Sequence, residues 1–444
     1  MRFSQHFKGL EAFYAMLIGQ LISTIGSGMT RFGLGVWVLS ETGNTTDYTT
    51  MLFFAVFPAG IGSLFSGPFI DRWDRKKVMI FANIIASLST LLIVILYFMD
   101  ILLIWHLYIA LSVNGIANAF ISPSLQSSTR LLVPKNQLNK ASGLAQLLRP
   151  METIIAPGLA GFIVGVFGLG VIFIIDFVTF VVSVSLLLMT IIPLPKRSDD
   201  FSGKMNFWSE FISGIRYIKE RPAFIFLMVL FTVTMFLLPG MAYSLVTPMV
   251  LSFQTERVLG LILSAYGLGS IIGGVLLTLW SETRSRMSGI LTAMTFSGIA
   301  AIIIGLWENP WTIGFGFFLT GMSFIFVIGL NRVIWQIKSA PEVQGRIFSL
   351  MTTLGVAGQA LGILAAGPLV SRVFGPMLET GGKLTNSVGL LIGVGPSRGM
   401  ALLFILLGFL VLGIVLISSV IPSFRNLESH IPDYDAINPN TNGL

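Results

Sequence analysis

Twelve apolar runs divide this chain, and no other feature limits its fold as much. They lie at about residues 13–39, 50–70, 78–98, 101–122, 143–167, 171–192, 223–250, 259–280, 288–306, 311–331, 347–373 and 399–421. Each is close to or beyond the roughly 20 residues that a helix needs to cross the hydrocarbon of a bilayer. A dozen spans and their short connections use up the 444 residues. The composition agrees, because 54% of the residues are hydrophobic and 11% are charged. A soluble core could not hide that much apolar surface. The expected fold is an all-α integral membrane protein of twelve transmembrane helices.

The first run follows Arg2 and Lys8 and so begins like a secretory signal. It is too long for a signal's apolar region and no small-x-small site ends it, so it is read as a retained first helix. Twelve spans put both termini on one side. One set of loops holds Arg72, Arg75, Lys76, Lys77, Arg130, Lys135, Lys140, Lys196, Arg197, Lys204, Arg284, Arg286, Lys338 and Arg346. The other holds Arg257, Arg372, Lys383 and Arg398 beside Glu41, Asp47, Asp100, Glu256, Glu308 and Glu379. Basic residues mark the cytoplasmic side. Both termini are therefore expected in the cytoplasm, in an inner (cell) membrane. The net charge of +7 sits in these loops rather than on a soluble domain, which argues against a nucleic-acid partner.

Several kinds of chemistry are excluded by what the chain lacks. It has no cysteine, so disulfides, zinc thiolates and a thiol nucleophile are out. No G-x-x-x-x-G-K-[ST] loop occurs, since Gly203-Lys204 runs into Met205 and Gly382-Lys383 into Leu384; ATP is not hydrolysed on this chain. His6, His106 and His430 are scattered and cannot build a metal or catalytic cluster. No metal, no cofactor and no enzymatic activity are expected, and an ion gradient remains as the energy source.

The chain divides into two halves. A break at 193–222, with Pro193, Pro195, Lys196, Arg197, Asp199 and Asp200, separates a six-helix bundle at 1–192 from a second at 223–421, followed by a cytoplasmic tail at 422–444. Within the break, 206–219 alternates apolar and charged residues at helical spacing, which fits either a helix lying on the inner membrane surface or a plain linker helix. A second break, 375–398, is read as a structured outer loop in preference to a re-entrant segment. Features recur at matching places in the halves: Leu132-Val133-Pro134 leads to Lys140 after span 4, and Ser339-Ala340-Pro341 leads to Arg346 after span 10. Repeats of this kind build carriers whose site lies between two bundles.

The run Gly67-Pro68-Phe69-Ile70-Asp71-Arg72-Trp73-Asp74-Arg75-Lys76-Lys77 is similar to the signature loop G-x-x-x-D-R-x-x-R-K-K between helices 2 and 3 of the major facilitator superfamily. Together with Gly19-Gln20 and Pro396-Ser397-Arg398-Gly399, it resembles the macrolide-efflux branch. The resemblance implies alternating access, a central cavity lined by helices 1, 4, 7 and 10, and a conformational latch at Gly67, Asp71, Arg72, Arg75 and Lys76. In the second half Thr278 stands where the signature acid would be, so the resemblance implies a charge latch from the first half only. Ala156-Pro157-Gly158-Leu159-Ala160-Gly161 resembles the family's helix 5 antiporter motif G-P-x-x-G-G, keeping Pro157, Gly158 and Gly161 but not the flanking glycines. A proline among small residues also bends a helix and lets it pack closely, and that is the direct role expected here.

Ionisable groups inside spans point to function. Arg31 in span 1, Arg149 and Glu152 in span 5 and Asp176 in span 6 are the proton-coupling candidates, while Arg332 can snorkel. Arg149 and Glu152 are three apart, so an intrahelical pair is expected; Arg31 and Asp176 are at similar depth and can pair between helices. Structural pairing alone is the competing reading for all four. Gln20, Thr24, Ser27 and Arg31 form one stripe, and Asn114 and Asn118 repeat the theme in span 4. With Phe231 and Met235 of span 7 and Phe324 and Asn331 of span 10, these make the candidate substrate cavity, polar in one half and aromatic or Met-rich in the other. Interhelical hydrogen bonds and lipid-facing Phe are the plainer account of any one of them. The reading is a proton-coupled exporter of bulky amphipathic molecules, a monomer in the bilayer, with export of a metabolite such as a siderophore or of a lipid-like substrate as the alternative. A membrane enzyme or a non-transporting sensor ranks lower: the one dense polar cluster, 71–77, is a basic loop, and no soluble domain is evident.

Overall fold

A computed structural model describes residues 7–192, 214–219, 221–280, 285–422 and 428, the side chains at 67–68, 71–72 and 341–342 excepted. Among these, twelve helices are long and apolar enough to cross a membrane: α1 Gly9–Thr42, α2 Thr45–Arg72, α3 Arg75–Phe98, α4 Ile104–Leu132, α5 Lys135–Phe167, α6 Leu169–Met189, α7 Pro222–Leu251, α8 Glu256–Thr278, α9 Arg286–Leu306, α10 Pro310–Lys338, α11 Val343–Leu378 and α12 Arg398–Val420. The fold is the expected all-α membrane architecture. Its ends follow local chemistry. Asn44, Asp74, Ser285 and Asn309 cap the starts of α2, α3, α9 and α10 by accepting backbone N–H bonds, as short polar side chains do at orphan amides. Gly43, at φ 61°, closes α1 in the left-handed region.

Burial is reversed relative to a soluble protein. Trp311 is 85% exposed, Leu261 68% and Val420 70%, while Asn83, Asp176 and Asn331 are buried. An apolar exterior over a partly polar interior is the pattern a bilayer solvent requires.

The chain forms two compact units, Met1–Gly203 with Gln254–Ser264, and Lys204–Phe253 with Ala265–Leu444. In the first, α2 and α3 both pack on α4, and α1 packs on α5 and α6. In the second, α9 packs on α10 and α12, and α7 on α11. Glycines set the closest approaches. A Cβ on Gly269 would lie 2.0 Å from the Phe318 carbonyl oxygen, and one on Gly362 would lie 2.2 Å from that of Phe236; the backbones of α8 and α10, and of α7 and α11, therefore touch. α7 contains a π-helical turn at Phe236–Ala242 around Pro239, the cause of a bend expected when a proline interrupts the i→i−4 ladder.

Residues 214–219 are helical; the rest of the 206–219 segment lies outside the described residues, as does the tail apart from Pro422 and Glu428. The 375–398 segment is a structured loop. A short helix, Gly389–Ile392, places Ile392 with Leu378 and Leu402 in one apolar cluster, and Glu308 clasps its far end. Its carboxylate pairs with Arg398 at 2.8 Å and accepts a bond from Ser397 at 2.5 Å. Burial alone would raise the Glu308 carboxyl, but the Ser397 bond and the bond and charge of Arg398 outweigh it and hold it below the ordinary glutamate range.

Candidate functional site

The polar cluster of the first unit is built on α1. The sequence Gly26-Ser27-Gly28 lets two other helices approach it from nearly opposite sides. A Cβ on Gly26 would sit 2.3 Å from Thr179 Oγ1 and 3.0 Å from Asp176 Oδ1; one on Gly28 would sit 2.7 Å from the Ala156 Cβ and 3.2 Å from Glu152 Cγ. Only glycine at these points allows α6 and α5 to carry their carboxylates up to α1. Ser27 Oγ then donates to Asp176 Oδ1 at 3.1 Å, and Arg31 forms an ion pair with Glu152 Oε1. The pair is graded in exposure, Arg31 being 43% exposed and Glu152 15%.

Asp176 is 2% exposed. Its Oδ2 has no hydrogen-bond partner, and the buried Thr30 hydroxyl lies beside the carboxylate. A small cavity of about 10 Å³ collects Ser27, Thr30 and Arg31 of α1, Ser89 and Thr90 of α3, Asn114 of α4 and Asp176. Asn114 is anchored by donating to the Ala86 carbonyl at 3.2 Å, and Asn118, on the exposed side, donates to Asn114 Oδ1 at 2.8 Å. A desolvated carboxylate with an unmet acceptor is costly unless it is neutralised or finds charge nearby.

The structure alters one expected pairing. Glu152 pairs with Arg31 across helices and not with Arg149 in its own helix, because Gly28 brings α1 within reach while Arg149 is exposed at the start of Leu148–Phe167. Of the α1 stripe, Ser27 and Arg31 reach partners on other helices. Gln20 and Thr24 bond to each other, Thr24 Oγ1 donating to the Gln20 carbonyl at 2.7 Å. Gly26, Gly28, Thr30, Ser89 and Thr90 were not among the residues singled out from sequence. The G-S-G triplet is the signal that could have found the first two, since two glycines flanking one polar residue present small surfaces on nearly opposite helix faces.

The second unit has an aromatic cavity of about 20 Å³, lined among others by Pro239, Tyr243, Tyr266, Ser297, Thr320 and Phe324. Tyr243 and Tyr266 meet edge-on at 5.2 Å, and the buried Ser297 hydroxyl has no partner. That volume admits one water. Phe324 is one of its lining residues. Phe231 and Met235 instead pack over Gly355, whose Cβ would lie 2.8 Å and 3.5 Å from them, and Asn331 is buried away from this cavity.

The helix 5 motif has a packing role within the first unit. A Cβ on Gly161 would meet the Glu256 carbonyl oxygen at 2.4 Å, and one on Gly260 would meet that of Pro157 at 2.4 Å. Ser264 Oγ donates to the Ile154 carbonyl at 2.6 Å, near the gap in the backbone ladder that Pro157 leaves. In the signature loop, Asp74 caps α3, and Lys76 Nζ donates to the Leu188 and Thr190 carbonyls at 2.9 and 2.6 Å. It therefore grips the negative end of α6. The Arg75 Nε is buried without a partner; Gly67 falls within α2, and the side chains of Asp71 and Arg72 lie outside the described residues.

A twelve-helix bundle pair with ionisable groups buried inside one half and an aromatic cavity in the other defines a multi-pass membrane transporter. The chain belongs to the Major Facilitator Superfamily, whose family model matches residues 16–363. It is similar to macrolide efflux protein A of Streptococcus pyogenes, 28% identical over 81% of this chain and 90% of the relative, and to that of Enterococcus faecalis, 31% identical over 70% and 95%. It is also similar to the enterobactin exporter EntS of Shigella flexneri, 23% identical over 81% and 85%. A bacterial homologue of the human lysosomal transporter Spinster, solved inward-facing and unoccupied, shares the fold with a TM-score of 0.70 at 16% identity, over 95% of this chain and 96% of that one.

Proposed function

We propose that this transporter is a proton-coupled antiporter that exports bulky amphipathic compounds of the macrolide kind, acting as a monomer with both termini in the cytoplasm. The observation that carries the proposal is the arrangement on α1, where Arg31 is held by Glu152 on one face while Asp176 lies buried beside Ser27 on the next. Two carboxylates served by one cation make a charge exchange. When Arg31 leaves Glu152, that carboxylate is free to take a proton, and when it returns the proton is released. Coupling requires that the two exposures of the site differ in this pairing, since a ligand shifts a conformational equilibrium only through differential affinity. The relatives named for macrolide efflux support the cargo class, and the one-sided basic loops support the orientation. The second reading, export of an endogenous metabolite such as a siderophore, is supported by the enterobactin exporter relative.

The test is flux in proteoliposomes holding a pH-sensitive dye. A macrolide should drive proton movement in the wild type, and Glu152→Gln should abolish that movement while still binding macrolide. Macrolide flux with no proton movement would overturn the coupling. Flux of enterobactin with none of macrolide would select the second reading.

A further inference from the structure

The loop between α11 and α12 holds two leucines out of the protein altogether. Leu390 is 80% exposed and Leu391 84%, both in the short helix Gly389–Ile392. Gly393, at φ 92°, ends that helix, and Val394 beyond it is exposed as well. The next side chain, Ile392, does the opposite. It is buried with Leu378 and Leu402, against Leu306 of α9 and Ile405 of α12. The backbone around the tip is fixed: the Leu384 N–H donates to the Met377 carbonyl at 3.0 Å, that of Gly389 to Leu384 at 2.9 Å and that of Gly395 to Leu378 at 3.2 Å. Glu308 then holds Ser397 and Arg398. A clasped loop therefore presents Leu390 and Leu391 in a set direction, anchored by the one residue beside them that turns inward.

The helices under the tip say what it meets. α9 and α12 pack on each other, and Gly389–Ile392 touches both. Their outward surface is apolar, with Phe296 and Ile299 of α9 and Phe409 and Leu410 of α12 exposed. α9 stops at Leu306 and α10 starts at Pro310, and the exposed Trp307 and Trp311 stand at this junction. Tryptophan collects at the edge of the hydrocarbon, and the loop sits at the same level because α12 begins at Arg398. We infer that the Gly389–Ile392 tip is an interfacial anchor, with Leu390 and Leu391 set into the acyl-chain edge of the phospholipid leaflet where α9 ends and α12 begins. Left in water, each leucine would forgo the gain that apolar burial brings. A protein partner fits less well, since a specific interface engages about 20–30 residues a side and the tip offers three. The exposed cations of the same loop, Arg372 and Lys383, suit the phosphates of the headgroup layer, the combination of apolar insertion and basic residues that holds peripheral segments on a bilayer.

The anchor is independent of the exporter reading and of which face of the membrane the loop occupies, and its test needs no cargo. The chain has no cysteine, so a nitroxide can be placed at Leu391→Cys in the full chain, held in nanodiscs of phosphatidylethanolamine and phosphatidylglycerol. Asn386→Cys, exposed in the same loop, is the water reference, and Phe409→Cys, exposed on α12, is the lipid reference. Power saturation compares collisions with oxygen, which concentrates in hydrocarbon, and with a water-soluble nickel chelate. The oxygen-to-nickel ratio at Leu391→Cys should be at least about threefold that at Asn386→Cys, as befits a side chain at the headgroup–acyl boundary, and should fall short of that at Phe409→Cys. A ratio equal to that at Asn386→Cys would overturn the anchor and leave the leucines in water. Few collisions with either probe would mean that protein covers the tip, which would overturn it too. The native side chains are read without a label: replacing both, Leu390→Ser with Leu391→Ser, should speed amide exchange at 389–392 about fivefold in nanodiscs, since a tip that has lost its lipid contact opens more often. Unchanged exchange would show that the Ile392 cluster alone holds the loop and would likewise overturn the anchor.

Discussion

The first unit holds α1–α6 with the start of α8, the second α7, the rest of α8 and α9–α12, and the two place their charges differently. The first has Arg31, Glu152 and Asp176 within its helices, two of them mostly buried. The second has its ion pairs at helix ends, Glu308 with Arg398 at the start of α12 and Glu428 with Arg286 at the start of α9, and lines its cavity with aromatic rings. Under the proposed reading, the charged groups of the first unit exchange protons and the aromatic rings of the second meet the cargo.

The division is broken most directly at Glu152. Glu152→Gln should lower cargo-driven proton flux at least about 100-fold in proteoliposomes, the loss expected when the group that takes the proton is removed, while Asp176→Asn should give a smaller or purely folding-related defect. Equal and complete losses would make the two carboxylates one unit and require a new assignment. The counterpart is Phe324→Ala in the second unit. It should raise the apparent KM for cargo about tenfold with the number of protons per cargo unchanged, as removal of uniform binding does; a changed ratio would mean that the halves do not divide the work.

Packing supplies a subtler test. Gly28→Ala inserts a methyl 2.7 Å from Ala156 and against Glu152, and overpacking of this kind costs about 1–3 kcal/mol. Melting in detergent should fall, with coupling weakened because α1 and α5 are forced apart. Gly143→Ala, where nothing lies within 4 Å, is the control and should leave both unchanged.

The smallest effect belongs to the clasp. The folded-state pKa of Glu308 is lowered, so its contribution is present above the unfolded-state value of about 4.3 and is lost as the pH falls through the lower folded value. Melting curves across the acid range should show this loss in the wild type, and Glu308→Gln should remove it. An unchanged acid limb in the variant would mean that the Arg398 pair is only a surface contact of little worth.

The signal for spans is additive and local, so it was legible: a run such as 399–421 needs no partner to declare itself. The signature loop was legible for the same reason, its residues being contiguous. Of the functional cluster, the ionisable members stood out because a bilayer should exclude them, but their partners did not. Arg149 was the natural mate for Glu152 by spacing along one helix, and the partner turned out to be Arg31, 121 residues away. Phe231 and Met235 fit a cavity by helix number and composition, yet they face Gly355, because which side of a uniformly apolar helix points inward depends on its neighbours.

The sequence by itself determined that this chain lives in a bilayer, has twelve helices long and apolar enough to cross it and carries a few ionisable groups where lipid would reject them. These follow from one-dimensional sums of transfer free energy and from contiguous motifs. Only the tertiary structure decided which charges meet. Gly26 and Gly28 bring two carboxylates up to α1 from two other helices, and Glu428 returns 142 residues to cap α9. Such pairings depend on close backbone approach between distant segments, and residue identity along the chain does not encode approach until the helices have packed.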